Sequence, residues 1–192
     1  SLARPTLDLG VPGRSRWARG LGGYIEFPAV YCDGMLYVNT QRGDTWAIRA
    51  ADGRVVWRRR SDAHKPSSPA IVGDLVIVAA KDGTVTALER AGGRPVWRIL
   101  VGSAVESSPA VADGTAYFGA QDGRLFAVDA ATGGIRWAYR TGGRINASPT
   151  LVGDKVCVPT YAGSVFCLRA RDGERVWTTY VKRDAFRYES FY

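Results

Sequence analysis

The sequence predicts an all-β protein built from consecutive four-stranded antiparallel propeller blades, and two repeating features support this fold class. Tryptophans recur at a spacing of 40 residues, as Trp17, Trp57, Trp97, Trp137 and Trp177. Turn glycines keep the same period of 40, in one set at positions 43, 83, 123 and 163 and in a second set at positions 53, 93, 133 and 173. A fixed period of this length is typical of stacked supersecondary units, and no stretch of the chain shows helical periodicity.

Each repeat opens with a proline that is followed by a short apolar strand. The motif Ser-Pro-Ala stands at residues 68–70 and 108–110, Ser-Pro-Thr stands at residues 148–150, and Phe27-Pro28-Ala29 is a fainter copy. Proline suits the first position of a strand because its missing N–H costs no ladder hydrogen bond there. An Asp-Gly or Gly-Asp pair follows each apolar strand and predicts a tight turn into the second strand.

The third repeat shows the remaining strands most clearly. Its second strand is predicted at residues 116–119, its third at 125–128 and its fourth at 135–139, with glycine-containing turns between them. A crossover of about ten residues then leads to the next proline. Apolar runs such as residues 75–80 do not alternate with polar residues, which is typical of sheets that are covered on both faces.

The predicted boundaries describe residues 1–192 as a single partial β-propeller. Its segments are a lead-in with the outer strand of a previous blade at 1–19, complete blades at 27–60, 67–100, 107–140 and 147–180, and the start of another blade at 181–192. Four blades with open ends leave apolar faces uncovered, so we expect an open propeller that is half of an eight-bladed ring. The chain is then a fragment of a longer propeller, which the sequence favours, or it pairs with a second copy or another chain.

One repeat carries a motif that identifies a family resemblance. Residues 127–137 read A-V-D-A-A-T-G-G-I-R-W, and this pattern resembles the tryptophan-docking motif of the quinoprotein (PQQ-like) propeller repeat. The resemblance implies that the five spaced tryptophans pack between adjacent blades, and that Asp129, Thr132 and Gly133 build the docking turn. The other three copies keep the glycine and the tryptophan but depart from the motif at the Asp and Thr positions.

The PQQ-like resemblance covers two functional groups. One group contains alcohol and sugar dehydrogenases that bind pyrroloquinoline quinone (PQQ) with Ca²⁺, and these resemble one another in adjacent cysteines, a tryptophan floor for the quinone and a Glu/Asn/Asp calcium set. The other group is non-catalytic and includes the outer-membrane assembly lipoprotein and sensor domains of bacterial surface proteins. This chain has no Cys-Cys pair, and its aspartates stand mostly in Asp-Gly turns.

The expected function is therefore that of a non-catalytic scaffold or sensor propeller of the bacterial cell envelope, without a cofactor. Its expected partner is a protein, or a second copy that completes the ring. The alternative is a fragment of a PQQ- and Ca²⁺-dependent dehydrogenase.

Candidate site residues stand in the crossovers that precede each first strand. These loops carry Glu26, His64, Lys65, Glu106, Arg144 and Asn146. The five candidates for lining a polar funnel are Glu26, His64, Glu106, Arg144 and Asn146, and the alternative is that they are only solvated loop residues. His64 is the single histidine, and no GxSxG or HExxH motif accompanies it. We predict no catalytic residue and no metal ligand in the chain.

Cysteine usage and charge exclude several further classes. Cys32, Cys157 and Cys167 form no CxxC motif, which argues against a zinc site. Cys157 and Cys167 fall on neighbouring predicted strands, so a disulfide between them is left open. The net charge of +8 is spread over all repeats, and nucleic acid is not the favoured partner. No run of 18 apolar residues is present, and no membrane span is predicted.

Overall fold

The computed structural model describes residues 16–180, and every regular element in this part of the chain is a β-strand. Sixteen strands form four separate four-stranded antiparallel sheets. The predicted fold class, an all-β open propeller of four blades, is confirmed. The proposed lead-in before residue 16 and the proposed start of a further blade at 181–192 lie outside the described residues.

The four blades have strands of nearly equal length at equivalent positions. Blade 1 contains β1 (Val30–Cys32), β2 (Met35–Asn39), β3 (Thr45–Arg49) and β4 (Val55–Arg59). Blade 2 contains β5 (Ala70–Val72), β6 (Leu75–Ala79), β7 (Thr84–Glu89) and β8 (Pro95–Leu100). Blade 3 contains β9 (Ala110–Ala112), β10 (Thr115–Gly119), β11 (Arg124–Asp129) and β12 (Ile135–Arg140). Blade 4 contains β13 (Thr150–Val152), β14 (Lys155–Pro159), β15 (Ser164–Arg169) and β16 (Arg175–Tyr180).

Strands within each blade pair in simple chain order, and each blade carries the same irregularity. The register shifts by one residue between the third and fourth strands, at Ala47/Ile48 in blade 1 and at Ala127/Val128 in blade 3. Such a bulge increases the local twist of the outer strand. Its recurrence in all four blades follows from the repeated turn that ends in a glycine of positive φ, for example Gly133 at 78°.

The strand order places two kinds of loop on one edge of every blade. Each first and third strand begins at this edge, and each second and fourth strand ends there, because neighbouring strands are antiparallel. The crossovers and the turns between second and third strands therefore meet. The backbone N–H of Lys81 donates to the carbonyl of His64 at 2.9 Å, and Tyr161 N–H donates to the carbonyl of Arg144 at 2.9 Å. We call this edge the crossover edge.

Apolar side chains fill the spaces between consecutive blades. Phe118, Phe126 and Val105 are fully buried in the cluster that joins blades 2 and 3. The first strands of consecutive blades also contact one another, which makes them the inner strands of the arc. Ser68 Oγ donates to the carbonyl of Pro28 at 2.9 Å, 40 residues away, and Ser68 N–H donates to Ser108 Oγ of the next repeat at 3.0 Å.

Candidate functional site

The structure brings two of the five predicted funnel residues into direct contact at the inner end of the crossover edge. The side-chain amide of Asn146 donates to Glu106 Oε2 at 2.7 Å, and these two residues are 40 positions apart. Lys81 Nζ lies 3.1 Å from the other carboxylate oxygen of Glu106. Glu106 is thus held by an amide from the blade 4 crossover and by an ammonium from a blade 2 turn.

Glu26, His64 and Arg144 do not join this cluster. Glu26 and Arg144 are exposed, and His64 is half-buried. Within residues 16–180, no side-chain hydrogen bond or ion pair links any of these three residues to another residue. His64 therefore has neither a nucleophile to activate nor a carboxylate to orient it in this part of the chain.

Four of the spaced tryptophans share one geometry. Each indole Nε1 donates to a backbone carbonyl 33 residues further along the chain, at 2.8 to 2.9 Å. The pairs are Trp17 with Ala50, Trp57 with Arg90, Trp97 with Ala130, and Trp137 with Ala170. The acceptor always lies in the turn between the third and fourth strands of the following blade, so each bond joins two neighbouring blades.

A glycine of the same turn lies flat against each indole ring. An added Cβ at Gly133 would lie 2.8 Å from Trp97 Cδ2, and one at Gly93 would lie 2.7 Å from Trp57 Cε3. Both distances are shorter than carbon atoms tolerate, so only glycine admits the ring at this distance. Gly133 also has a φ of 78°, a conformation that other residues rarely adopt.

Asp129 and Thr132 build the turn in blade 3. Asp129 Oδ1 accepts hydrogen bonds from Thr132 N–H and Thr132 Oγ1, both at 2.9 Å. The Arg136 guanidinium donates to Asp129 Oδ2 at 2.6 Å. The hydrogen bonds from Arg136 and Thr132 lower the pKa of Asp129 to about 2, so the carboxylate stays ionised at neutral pH.

The degenerate copies of the motif form a similar turn from a different residue. In blade 1, Asp52 occupies the Thr position, and its Oδ1 accepts from Arg54 N–H at 3.0 Å. In blade 4, Asp172 Oδ1 accepts from Glu174 N–H at 3.1 Å. An acidic residue two positions before the donating N–H therefore supports the same backbone, which explains why the motif can vary without losing the turn.

Trp177 lies on the one blade face without a described neighbour. Its side chain is 43% exposed, whereas that of Trp57 is 8% exposed. Cys157, Cys167 and Trp177 are direct cross-strand partners, so their side chains share this face of blade 4. Val152 pairs with Lys155, two residues before Cys157, so it lies on the same face, and it is 56% exposed. We call these four residues the blade 4 face.

The structure pairs Cys157 with Cys167 in a disulfide that crosses β14 and β15. The sequence left this pairing open, because adjacent strands place two cysteines within reach only when they are in direct register. Cys32 is free. The two cysteines replace Tyr117 and Ala127 of blade 3, so the disulfide occupies positions that are otherwise apolar core.

Lys65 lies in the crossover where the sequence places it, but it is buried there rather than solvated. It stands among polar crossover residues, yet it is only 6% exposed, and its Nζ donates to Thr45 Oγ1 at 3.0 Å. Burial lowers the pKa of Lys65 to about 8. The repeat itself could have indicated this burial. The residues 40 and 80 positions after Lys65 are Val105 and Ile145, which are both fully buried.

The quinone and calcium site of the dehydrogenase group does not fit the residues present. The two cysteines that pair are opposite one another on neighbouring strands, so they do not provide the adjacent-cysteine feature. Glu106 is already bound by Asn146 and Lys81. Over residues 16–180, no three His, Cys, Asp or Glu side chains converge as a metal site. The same residues contain no helix long and apolar enough to cross a membrane.

Comparisons with known proteins agree with the blade geometry. A family model described as outer membrane protein assembly factor BamB matches residues 11–185. No curated protein sequence matches the chain. Among solved structures, BamB from Moraxella catarrhalis is 22% identical with a TM-score of 0.65, and the match covers 84% of this chain and 63% of that chain.

Two other solved structures share the fold. A quinohemoprotein alcohol dehydrogenase from Comamonas testosteroni is 19% identical with a TM-score of 0.74, over 82% of this chain and 35% of that chain. The computationally designed Ika4 protein is 16% identical with a TM-score of 0.74, over 82% of this chain and 98% of that chain. The present chain thus corresponds to 63% of the BamB chain and about a third of the dehydrogenase, and to nearly all of Ika4.

Proposed function

The chain belongs to the family of the outer membrane protein assembly factor BamB, and we propose that it is a non-catalytic propeller that acts as a protein-binding scaffold in the cell envelope. The observation that carries this proposal is the blade 4 face. A scaffold needs an apolar surface that a partner can cover, and this face presents Trp177 and Val152 together.

The partner that fits this face is another blade of the same repeat type. Trp57, Trp97 and Trp137 each bind a carbonyl and a glycine of the next blade, and Trp177 has the same position in its own blade without such a neighbour among residues 16–180. An indole N–H that becomes buried needs a hydrogen-bond acceptor. A partner blade that offers a turn carbonyl and a glycine supplies that acceptor together with a flat surface for the ring.

Two observations support a location in the cell envelope. The family takes its description from an outer-membrane assembly factor. In addition, the Cys157–Cys167 disulfide belongs to the chemistry of oxidising compartments, because cytosolic thiols are kept reduced. Recovery of the protein from its source cells with a thiol-trapping reagent, followed by mass determination, tests whether this pair is oxidised where the protein resides.

A second copy of the chain is the first partner to test. Its blade 1 turn can receive Trp177 only by releasing its own Trp17, because each of the four described turns already binds an indole. Sedimentation velocity across a range of concentrations is expected to show species of twice the 20.8 kDa chain mass. Trp177→Ser should weaken this association about tenfold or more, because a large apolar side chain at an interface centre contributes on the order of 2 kcal/mol.

Val96→Ser is the matched control for the association experiment. Val96 is 48% exposed on the outer strand of blade 2, so the substitution removes a similar exposed apolar group away from the blade 4 face. If Val96→Ser and Trp177→Ser weaken the association equally, the blade 4 face is not the association surface. A chain that stays monomeric at all concentrations would exclude the second copy as its partner.

The alternative function is that of a piece of a PQQ-dependent dehydrogenase, which the shared fold with the Comamonas enzyme keeps open. Calorimetric titration of the protein with PQQ in the presence of Ca²⁺ distinguishes the two functions. We expect no saturable heat, because Glu106 is bound by Asn146 and Lys81. Saturable PQQ binding would favour the dehydrogenase and contradict the non-catalytic assignment.

A further inference from the structure

A cavity of about 470 Å³ opens between blades 1 and 2 near the crossover edge. Its walls are the end of β4 with the following crossover on one side, and β6, β7 and β8 on the other. A volume of this size is in the range that holds small organic ligands. The cavity lies apart from the blade 4 face and from Glu106, neither of which lines it.

The cavity exists because blade 2 has small side chains where blade 3 has large ones. Val78 and Thr86 line it, and the residues 40 positions later are Phe118 and Phe126. Those two rings are buried and stacked with centroids 5.4 Å apart, and they fill the corresponding space between blades 2 and 3. Within the same molecule, two phenylalanine rings therefore fill between blades 2 and 3 the space that stays empty between blades 1 and 2.

Lys65 lines this cavity from the blade 1 side and belongs to a buried chain of polar groups. Its Nζ donates to Thr45 Oγ1 at 3.0 Å, and Thr45 Oγ1 donates to Asn39 Oδ1 at 2.8 Å. The Asn39 amide then donates to the carbonyl of Ser67 at 2.8 Å. An ammonium has three N–H groups, and Thr45 is its single hydrogen-bond acceptor among residues 16–180.

The three linked polar residues all differ in character from the residues at the equivalent positions of the later repeats. Asn39, Thr45 and Lys65 stand in register with residues that are small or apolar in blades 2 and 3. Those counterparts are Ala79, Val85 and Val105 in blade 2 and Gly119, Leu125 and Ile145 in blade 3. A buried ammonium is costly unless it is paired, so three linked polar residues at core positions indicate a requirement other than packing.

Positive charge predominates around the cavity. The cationic residues that line it are Arg59, Arg60, Lys65 and Arg98, and the acidic residues that line it are Asp62 and Asp82. Arg98 lies 3.8 Å from Asp82, and Arg60 lies 3.6 Å from the buried carboxylate of Asp44. Lys65 and Arg59 form no ion pair with a residue in the 16–180 range, although the lowering of the pKa of Lys65 by burial is partly offset by the more distant carboxylates of Asp44 and Asp82. With four cationic and two acidic residues on its walls, the cavity favours an anion.

We propose that this cavity binds a small organic anion. Its carboxylate or phosphate group contacts the Lys65 ammonium, and its apolar part packs against Val78, Thr86 and Leu88. Those three side chains form the opposite wall and offer apolar surface for a ring or a short chain. The ligand group accepts the hydrogen bonds that Lys65 does not make within the protein. Arg59 at the mouth adds a second positive charge for the same group.

Isothermal titration with benzoate and with phenyl phosphate tests this site, because both probes combine an anionic group with an apolar ring. Saturable one-to-one binding of at least one probe is expected, and the stronger probe distinguishes a carboxylate from a phosphate ligand. Lys65→Met should weaken that binding about tenfold or more, since a hydrogen bond between charged groups contributes about 1.5–3 kcal/mol. Lys155→Met, which removes one charge from a surface ion pair with Asp154, should leave it unchanged.

A second variant tests the cavity without changing its charge. Thr86→Phe introduces the side chain that Phe126 and Phe166 have at the equivalent positions, so it should fold and close the space. It is expected to abolish binding while leaving the Lys65–Thr45 contact intact. The proposal is overturned if neither probe binds, or if binding survives both Lys65→Met and Thr86→Phe.

Discussion

The buried ammonium of Lys65 leads to a prediction about the pH dependence of stability. Folding lowers the pKa of Lys65 from 10.5 to about 8, chiefly because burial removes the ammonium from water. A shift of this size corresponds to about 3 kcal/mol of destabilisation when the group is charged in both states, which is the case below pH 8. The substitution Lys65→Met removes the charge and keeps a side chain of similar length.

The expected gain at neutral pH follows from two opposing terms. Removing the buried charge should stabilise the protein by about 3 kcal/mol, and losing the Lys65–Thr45 hydrogen bond should cost about 1 kcal/mol. We therefore expect Lys65→Met to unfold with a free energy about 2 kcal/mol greater than that of the unsubstituted protein at pH 7.

The sign of the pH effect follows from proton binding. Between pH 8 and pH 10.5 the unfolded chain binds more protons at Lys65 than the folded chain does, so stability rises with pH in this window. Lys65→Met lacks this contribution. Its advantage over the unsubstituted protein should therefore shrink by about 2–3 kcal/mol between pH 7 and pH 10, and the difference between the two proteins should approach zero.

Urea denaturation, followed by tryptophan fluorescence at pH 7, 8, 9 and 10, measures this difference directly. Other titrating groups contribute equally to both proteins and cancel in the comparison. Lys155→Met serves as the reference, because Lys155 forms a surface ion pair whose loss should change stability by less than about 1 kcal/mol at every pH. A constant difference between Lys65→Met and the unsubstituted protein across this range would refute the burial argument.

The remaining predictions concern the blade contacts. Gly133→Ala should destabilise the protein by about 1–3 kcal/mol more than Gly142→Ala in urea denaturation, because both residues have nearly the same positive φ but only Gly133 lies against Trp97. Equal losses would show that the contact with the ring is unimportant. Replacing both Cys157 and Cys167 by alanine should lower the free energy of unfolding by about 3 kcal/mol, as expected for the short loop that the disulfide closes. Adding a reductant should then lower the stability of the unsubstituted protein but leave that of the double variant unchanged.

Much of the fold could be predicted from the sequence because the same local sequence features occur in each of the four repeats. A proline before each first strand, an Asp-Gly or Gly-Asp turn and a period of 40 residues are local features, and they define four-stranded blades without knowledge of distant contacts. The Asp129–Thr132 turn belongs to the same category, since its hydrogen bonds join residues only three positions apart.

The candidate sites depended on contacts between blades, which a local pattern does not contain. Glu106 and Asn146 are 40 residues apart and meet only because two crossovers lie side by side at the inner strands. Lys65 follows His64 in a polar loop and would be solvated there if Thr45 of the previous hairpin did not lie beside it. The 20 residues that separate Thr45 from Lys65 in the sequence do not reveal that the two side chains are in contact. Only the repeat indicated burial, because Val105 occupies the equivalent position 40 residues later.

The repeating unit, its turns and the positions of the five tryptophans can be recognised without a structure. Those properties arise from backbone preferences and apolar periodicity, which act over a few residues. Only the packed structure shows how the units meet. It identifies which carbonyl each indole binds, which tryptophan has no neighbouring blade among residues 16–180, that Cys157 pairs with Cys167, and where a cavity remains. These outcomes depend on how the side-chain volumes and polar groups of two neighbouring blades fit together at one interface. That fit is defined only when the two blades are packed against each other.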